Sequence, residues 1–225
     1  MESFAAHFGI LPEAQLRLWP ELRPAADLGF VLYGGTAIAL RLGHRTSIDF
    51  DFFTERPLQR SMLEDMFPFL RTAQVVQESS DTFTALAFPY ATDERPVKLS
   101  FFGSITFGRV AEPQWTDDGV AQVASFEDLL ATKVKVLLQR VEAKDYLDIA
   151  ALLHSGLPLE RGLAAARALF GLAFQPSECL KALVYFKGGD LDTLAETTRN
   201  ELIRAVSVVR DLPHIPVIDK QLTLR

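Results

Sequence analysis

Two groups of residues in this 225-residue sequence have types and spacing that could do chemistry: the aspartates Asp49 and Asp51, and the run Gly34-Gly35-Thr36. The aspartates sit in Ser47-Ile48-Asp49-Phe50-Asp51-Phe52-Phe53, where polar and apolar residues alternate with period two, as on a strand with one buried face. Residues two apart on a strand share a face at roughly 6.5–7 Å between Cα atoms, so both carboxylates can reach the same hard cations. Left without a counter-ion, their repulsion would push one pKa upward; Mg²⁺ offsets the repulsion and orients phosphate oxygens. A lone D-x-D equally fits the solvated side of an edge strand. The strongly apolar Ile48, Phe50, Phe52 and Phe53 instead imply a strand inside a sheet, where a polar exception is a candidate for function.

Gly34 and Gly35 follow the short apolar run 29–33, which reads as a strand, and precede 36–42, whose helix formers stop at Gly43. Glycines at such a turn leave backbone N–H groups unobstructed, the helix offers its positive N-terminal end, and Thr36 adds a hydroxyl donor. That combination suits phosphate, although strand-to-helix turns also use glycine for steric reasons alone. Both groups come from neighbouring strands and converge on one crevice.

The elements that must hold these residues follow from periodicity. Residues 11–28 read as a helix with Leu16, Trp19 and Leu22 on one apolar face, broken or kinked by Pro20 and Pro24. A helix over about 57–70 and strands near 73–78, 82–88 and 96–102 complete a mixed first half. Past residue 120 the pattern turns helical: Ser125-Phe126-Glu127-Asp128 resembles a capping box, and helices are expected near 126–138, 143–154, 158–170, 176–187 and 191–210. The expected fold class is therefore α+β, a mixed α/β domain over 1–119 followed by a helical domain over 120–225 that closes the crevice.

Composition narrows the function classes. A hydrophobic content of 48% can fill a core, and the single Cys179 cannot form an internal disulfide, so a reducing compartment, the cytoplasm, is expected. The opening residues lack the basic start and apolar run of a signal peptide, and no apolar stretch is long enough for a membrane span, so no membrane partner is expected. The net charge of −6 supplies no global attraction for a polyanion, so any nucleic-acid contact must be local. The 17 phenylalanines are explained by the core before base stacking.

Gly34-Gly35-Thr36-Ala37-Ile38-Ala39-Leu40 followed by Arg45-Thr46-Ser47-Ile48-Asp49-Phe50-Asp51-Phe52-Phe53 resembles the AbiEii/AbiGii-type nucleotidyltransferases of abortive infection, whose members include toxins of toxin–antitoxin pairs. The stretch from Phe126 through Lys133, then Arg140 and 144–153, is similar to that family's second block. On the residues alone, Lys133 reads as a surface lysine and Asp145 as a helix-start carboxylate. The resemblance implies more. Asp49 and Asp51 would hold Mg²⁺ or Mn²⁺ with a nucleoside triphosphate as substrate, and Gly34, Gly35, Thr36, Arg45 and Ser47 would bind that substrate. Lys133 would contact its phosphates, Arg140 would support the helix pair, and Asp145, with Asp148 as its alternative, would complete the site. His44 could also meet phosphate. Possible partners by resemblance are tRNA or another RNA and a cognate antitoxin.

One departure stands out. Polymerase-like nucleotidyltransferases add a third carboxylate from a later strand, and on the matching run Pro96-Val97-Lys98-Leu99-Ser100-Phe101-Phe102 its place is taken by Ser100. Serine is neither a carboxylate base nor a good Mg²⁺ ligand. Asp81 and Glu94 are the acidic residues that could substitute.

Overall fold

Alternation of buried and half-buried residues along Asp49–Phe53 shows how the sequence makes the centre of a sheet: Phe50 and Phe52 are fully buried on one face, and Asp49, Asp51 and Phe53 line the other. The fold comes from a computed structural model that describes residues 2–88 and 95–224. Its strands are β1 (Ser3–Phe4), β2 (Val31–Tyr33), β3 (Asp49–Phe53), β4 (Gln74–Glu78), β5 (Thr82–Ala87), β6 (Val97–Phe102), β7 (Gln114–Thr116) and β8 (Gln122–Val123). The helices are α1 (Glu13–Leu18), α2 (Pro24–Asp27), α3 (Gly34–Leu42), α4 (Arg60–Met66), α5 (Phe126–Val136), α6 (Ala143–His154), α7 (Leu159–Phe170), α8 (Pro176–Leu183) and α9 (Glu196–Val208), with short 3₁₀ turns between some of them. The expected α+β class is thus the observed one.

The chain divides into two units. The first comprises Met1–Gly108, Glu112–Ala124 and Asp219–Arg225, the second Arg109–Ala111 and Ser125–Ile218. In the first unit the strands form one mixed sheet in the order β1-β7-β8-β2-β3-β6-β5-β4. β3 is antiparallel to β2 and parallel to β6, so the strand bearing the two aspartates lies well inside the sheet. Behind it, Phe52 and Phe101 stack at 5.5 Å, Phe30 and Phe67 pack on Phe101 at 5.3 and 5.5 Å, and Trp19 lies 5.7 Å from Phe50. The phenylalanines account for this core.

The 11–28 segment is the broken run that Pro20 and Pro24 predict: α1, a 3₁₀ turn over Trp19–Leu22 and α2. Other details differ from expectation. Leu16 is 45% exposed and Leu18 takes its place in the core beside Trp19 and Leu22. Ile48 is 57% exposed, outside the strand it was expected to help bury. The short β1, β7 and β8 were not expected.

In the second unit Ser125 caps α5: its hydroxyl donates to Asp128 Oδ2 at 2.6 Å and accepts from the Asp128 N–H at 3.0 Å. α5 packs tightly on α7 because Gly162 faces Leu130; a Cβ there would lie 2.3 Å from the leucine side chain.

Candidate functional site

The strand-to-helix turn begins at Tyr33, which is extended (φ −119°, ψ −165°) and gives α3 no side-chain cap. Gly34 follows at φ +75°, a left-handed conformation suited to glycine. Space is a second reason for glycine here. A Cβ on Gly34 would sit 2.5 Å from Asp51 Oδ2 and 3.3 Å from Asp51 Cβ and Cγ, so the missing side chain is what admits the Asp51 carboxylate against the start of α3. The register agrees, since Asp51 pairs with Tyr33 across the antiparallel β2–β3 ladder. The helix then ends at Gly43, which is left-handed with its N–H on the Ala39 carbonyl.

Thr36 is buried, and its hydroxyl donates to the Asp49 carbonyl oxygen while lying 2.7 Å from the Ser47 hydroxyl. The Thr36 and Ser47 hydroxyls therefore tie the first turn of α3 to the start of β3, and the N–H groups of a helix's first turn have no partner within the helix. At the far end of α3, Arg41 holds the helix to the sheet by donating to Gln114 Oε1 at 2.7 Å and to the Val123 carbonyl at 3.0 Å. Arg45 lies between α3 and β3 and donates to the Thr46 carbonyl at 3.0 Å.

Across the parallel β3–β6 ladder, Asp49 pairs with Lys98 and Asp51 with Ser100. Register partners in a sheet point to the same side, so Asp49, Asp51, Lys98 and Ser100 share one face. Ser100 is 2% exposed, on the strand and at the level where a third carboxylate was expected. Asp81 does not replace it: its carboxylate sits in the β4–β5 turn, accepts from Ser104 and Ser80, and is held below the ordinary range by those bonds. Glu94 lies outside the described residues.

Among the described residues no cluster of three or more His, Cys, Asp or Glu could hold a metal. The donor set on β3 is two carboxylates on one face. It fits Mg²⁺, which keeps several waters and takes one or two carboxylates plus substrate phosphates rather than an all-protein cage.

The second unit contains a separate cluster. Lys133 is 5% exposed, and its ammonium donates to Asp145 Oδ1 at 2.7 Å and meets Asp148 Oδ2 at 2.6 Å. Arg140 forks onto Asp145, with Nε to Oδ2 at 2.8 Å and Nη2 to Oδ1 at 3.0 Å. Burial opposes ionisation of Asp145, but the Arg140 hydrogen bonds and the Lys133 charge outweigh it and hold the carboxyl below its usual range. Asp145 and Asp148 are therefore joint partners of one lysine, a turn apart on α6. Lys133 is a buried ion-pair lysine; the surface reading of its sequence position does not hold. Lys98 escaped the sequence reading, although Lys98 and Ser100 alternate with Val97, Leu99 and Phe101 and so had to share a face.

The family model described as "Nucleotidyl transferase AbiEii toxin, Type IV TA system" matches residues 18–212. An uncharacterized protein of Aquifex aeolicus (strain VF5) is 31% identical over 122 residues, a match covering 53% of this chain and 55% of that protein. The chain thus matches about half the length of this curated relative. The crystal structure of an antigenic nucleotidyltransferase-like protein from Paracoccidioides brasiliensis aligns with a TM-score of 0.54 at 16% identity, over 90% of this chain and 94% of that one. That likeness is one of fold.

Proposed function

This chain belongs to the AbiEii nucleotidyl transferase family, and from that premise we propose that it transfers a nucleoside monophosphate from a nucleoside triphosphate to an acceptor hydroxyl. The observation that carries the reading is the placement of Asp49 and Asp51 on one face of a central strand, with Asp51 seated against Gly34 at the start of α3. Asp49 and Asp51 would hold Mg²⁺ or Mn²⁺, which supplies positive charge to triphosphate oxygens when bound. The N–H groups of Gly35 and Thr36 meet phosphate at the helix N-terminus, while Ser47 and the Thr36 hydroxyl keep that turn fixed to β3. Arg45, between α3 and β3, would add a cation to the substrate site. The phosphate contact that the family resemblance implies for Lys133 would use the one ammonium N–H that Asp145 and Asp148 leave over, with Arg140 holding Asp145 in place.

The acceptor oxygen bonds to the α-phosphorus, the bond from the α-phosphorus to the bridging oxygen breaks, and pyrophosphate leaves. The acceptor proton goes to solvent, since Ser100 beside Asp51 carries no basic group. An RNA 3′ end such as that of tRNA is the proposed acceptor, a protein hydroxyl the second choice, and a cognate antitoxin the proposed protein partner, in the cytoplasm. No helix among the described residues is long and apolar enough to cross a membrane.

Ser100 also favours a second reading, a site that binds nucleotide and does not turn it over. Incubation with each labelled triphosphate, Mg²⁺ and total RNA separates the two. Transfer that vanishes in Asp49→Asn, together with Mg²⁺-dependent triphosphate binding, is the expected result. Transfer unchanged in that variant would remove the two-aspartate mechanism, and binding without transfer to any RNA or protein would select the second reading.

A further inference from the structure

We propose that Lys98 is a phosphate-binding residue of the site, a cation on β6 that contacts the triphosphate beside the metal carboxylates. The proposal rests on the reading of this face as a metal–nucleotide site and adds to it a residue that neither the motif nor the fold assigns.

Three observations carry it. Lys98 is the register partner of Asp49 in adjacent parallel strands, which places the two Cα atoms about 4.8 Å apart with side chains on the same face. The two do not form an ion pair. Among the described residues the Lys98 side chain makes no hydrogen bond, ion pair or ring contact, and the Asp49 carboxylate likewise has none; the Thr36 hydroxyl bonds the Asp49 backbone carbonyl instead. Lys98 is nonetheless half-buried, flanked by Ser100 two residues on and by Leu86 across the β5–β6 ladder.

Opposite charges this close on a half-buried face would ordinarily pair directly. Their separation leaves three ammonium donors and a carboxylate facing the same space. A metal-bound polyphosphate has the matching chemistry: its cation meets the carboxylate, and its anionic oxygens accept from the ammonium. Ser100 fits the same arrangement. A carboxylate at that position would neutralise Lys98 and bring a third negative charge to the face, whereas serine leaves the lysine charge available to the ligand.

The test uses the full chain and a probe with no base, inorganic tripolyphosphate with Mg²⁺, alongside each of the four nucleoside triphosphates. Binding is measured by calorimetry for the wild type, K98A, K98Q, K98R and, as the reference for the carboxylate site, D49N. Loss of one charge-assisted contact should weaken both kinds of ligand by roughly 10- to 100-fold in K98A and K98Q, and K98R should stay within about threefold of wild type. All Lys98 variants should melt within a few degrees of wild type, because the side chain has no partner among the described residues to lose. If K98A misfolds, K98Q, which keeps most of the chain length, carries the test. Binding unchanged in K98A and K98Q but lost in D49N would overturn the role of Lys98 alone, leaving it a solvated lysine. A wild-type chain that binds neither probe would overturn the nucleotide-site reading and this proposal with it.

Discussion

Replacing Gly34 by alanine isolates the contact on which the site geometry depends. The new Cβ would lie 2.5 Å from Asp51 Oδ2, so the oxygen must retreat by about 0.5–0.9 Å to reach the 3.0–3.4 Å range of tight but tolerated contacts. The backbone adds its own cost, because φ is +75° and an L-residue there loses about 1–2 kcal/mol. Alanine recovers part of that by restricting the unfolded chain, by about 0.4–1 kcal/mol. The net backbone loss is then about 0–1.6 kcal/mol, to which displacement of the carboxylate adds, at about 2–4 °C in melting temperature per kcal/mol for a chain of this size. If Asp51 holds the metal as proposed, a shift of that kind should weaken Mg²⁺-dependent triphosphate binding roughly 10- to 100-fold. Gly43→Ala is the matched control. It shares the left-handed backbone (φ +65°) and would meet the His7 ring at 3.0 Å, at the opposite end of α3 from Asp51. Calorimetric titration and thermal melts of both variants should show similar losses of stability and a loss of affinity only in Gly34→Ala. Equal affinities in the two variants would refute the idea that Gly34 exists to seat Asp51.

Two further predictions concern buried carboxylates of the helical unit, with opposite pH signs. Asp145→Asn removes the shared partner of buried Lys133 and of the half-exposed Arg140; Asp148 still pairs the lysine, so the cost falls near the lower end for broken buried pairs, about 3 kcal/mol. Because the folded carboxyl titrates below its unfolded value, the stabilisation by Asp145 is present above about pH 4 and fades as the pH falls through the lowered folded value, and urea unfolding of wild type and variant should converge there. Asp128 behaves in reverse. Burial pushes its carboxyl up to about 6 despite the bonds from Ser125, Val110 and Ala111, so its contribution is full below about pH 4 and is lost as the pH rises through 6. The stability of wild type relative to Asp128→Asn should therefore drop between pH 4 and 7, by up to about 3 kcal/mol; a difference that is flat with pH would contradict it.

What could be read from the sequence was local. The Asp49–Phe53 alternation, the glycine turn with its Gly43 stop and the Ser125 cap each carry their signal within a few residues, and each forms as expected. β7 and β8, with three and two residues, are too short to show any period, and Leu16 is exposed although its spacing put it on the apolar face of the expected helix. The state of Lys133 was hidden for another reason: its burial depends on carboxylates 12 and 15 residues away on another helix, which no window of periodicity contains. Lys98 needed one more step, the register of β6 against β3.

Charged side chains of the two units stand in different settings. In the helical unit, Lys133, Arg140, Asp145 and Asp148 sum to zero charge, with the lysine and both carboxylates buried, so much of their desolvation is offset within the cluster. On the sheet, a fully packed aromatic layer lies directly behind β3 and β6, while Asp49 and Lys98 stand side by side on the open face without using each other. The two charges contribute no pairing energy to the fold, and the proposed ligand, carrying both a cation and anionic oxygens, would engage both residues at once.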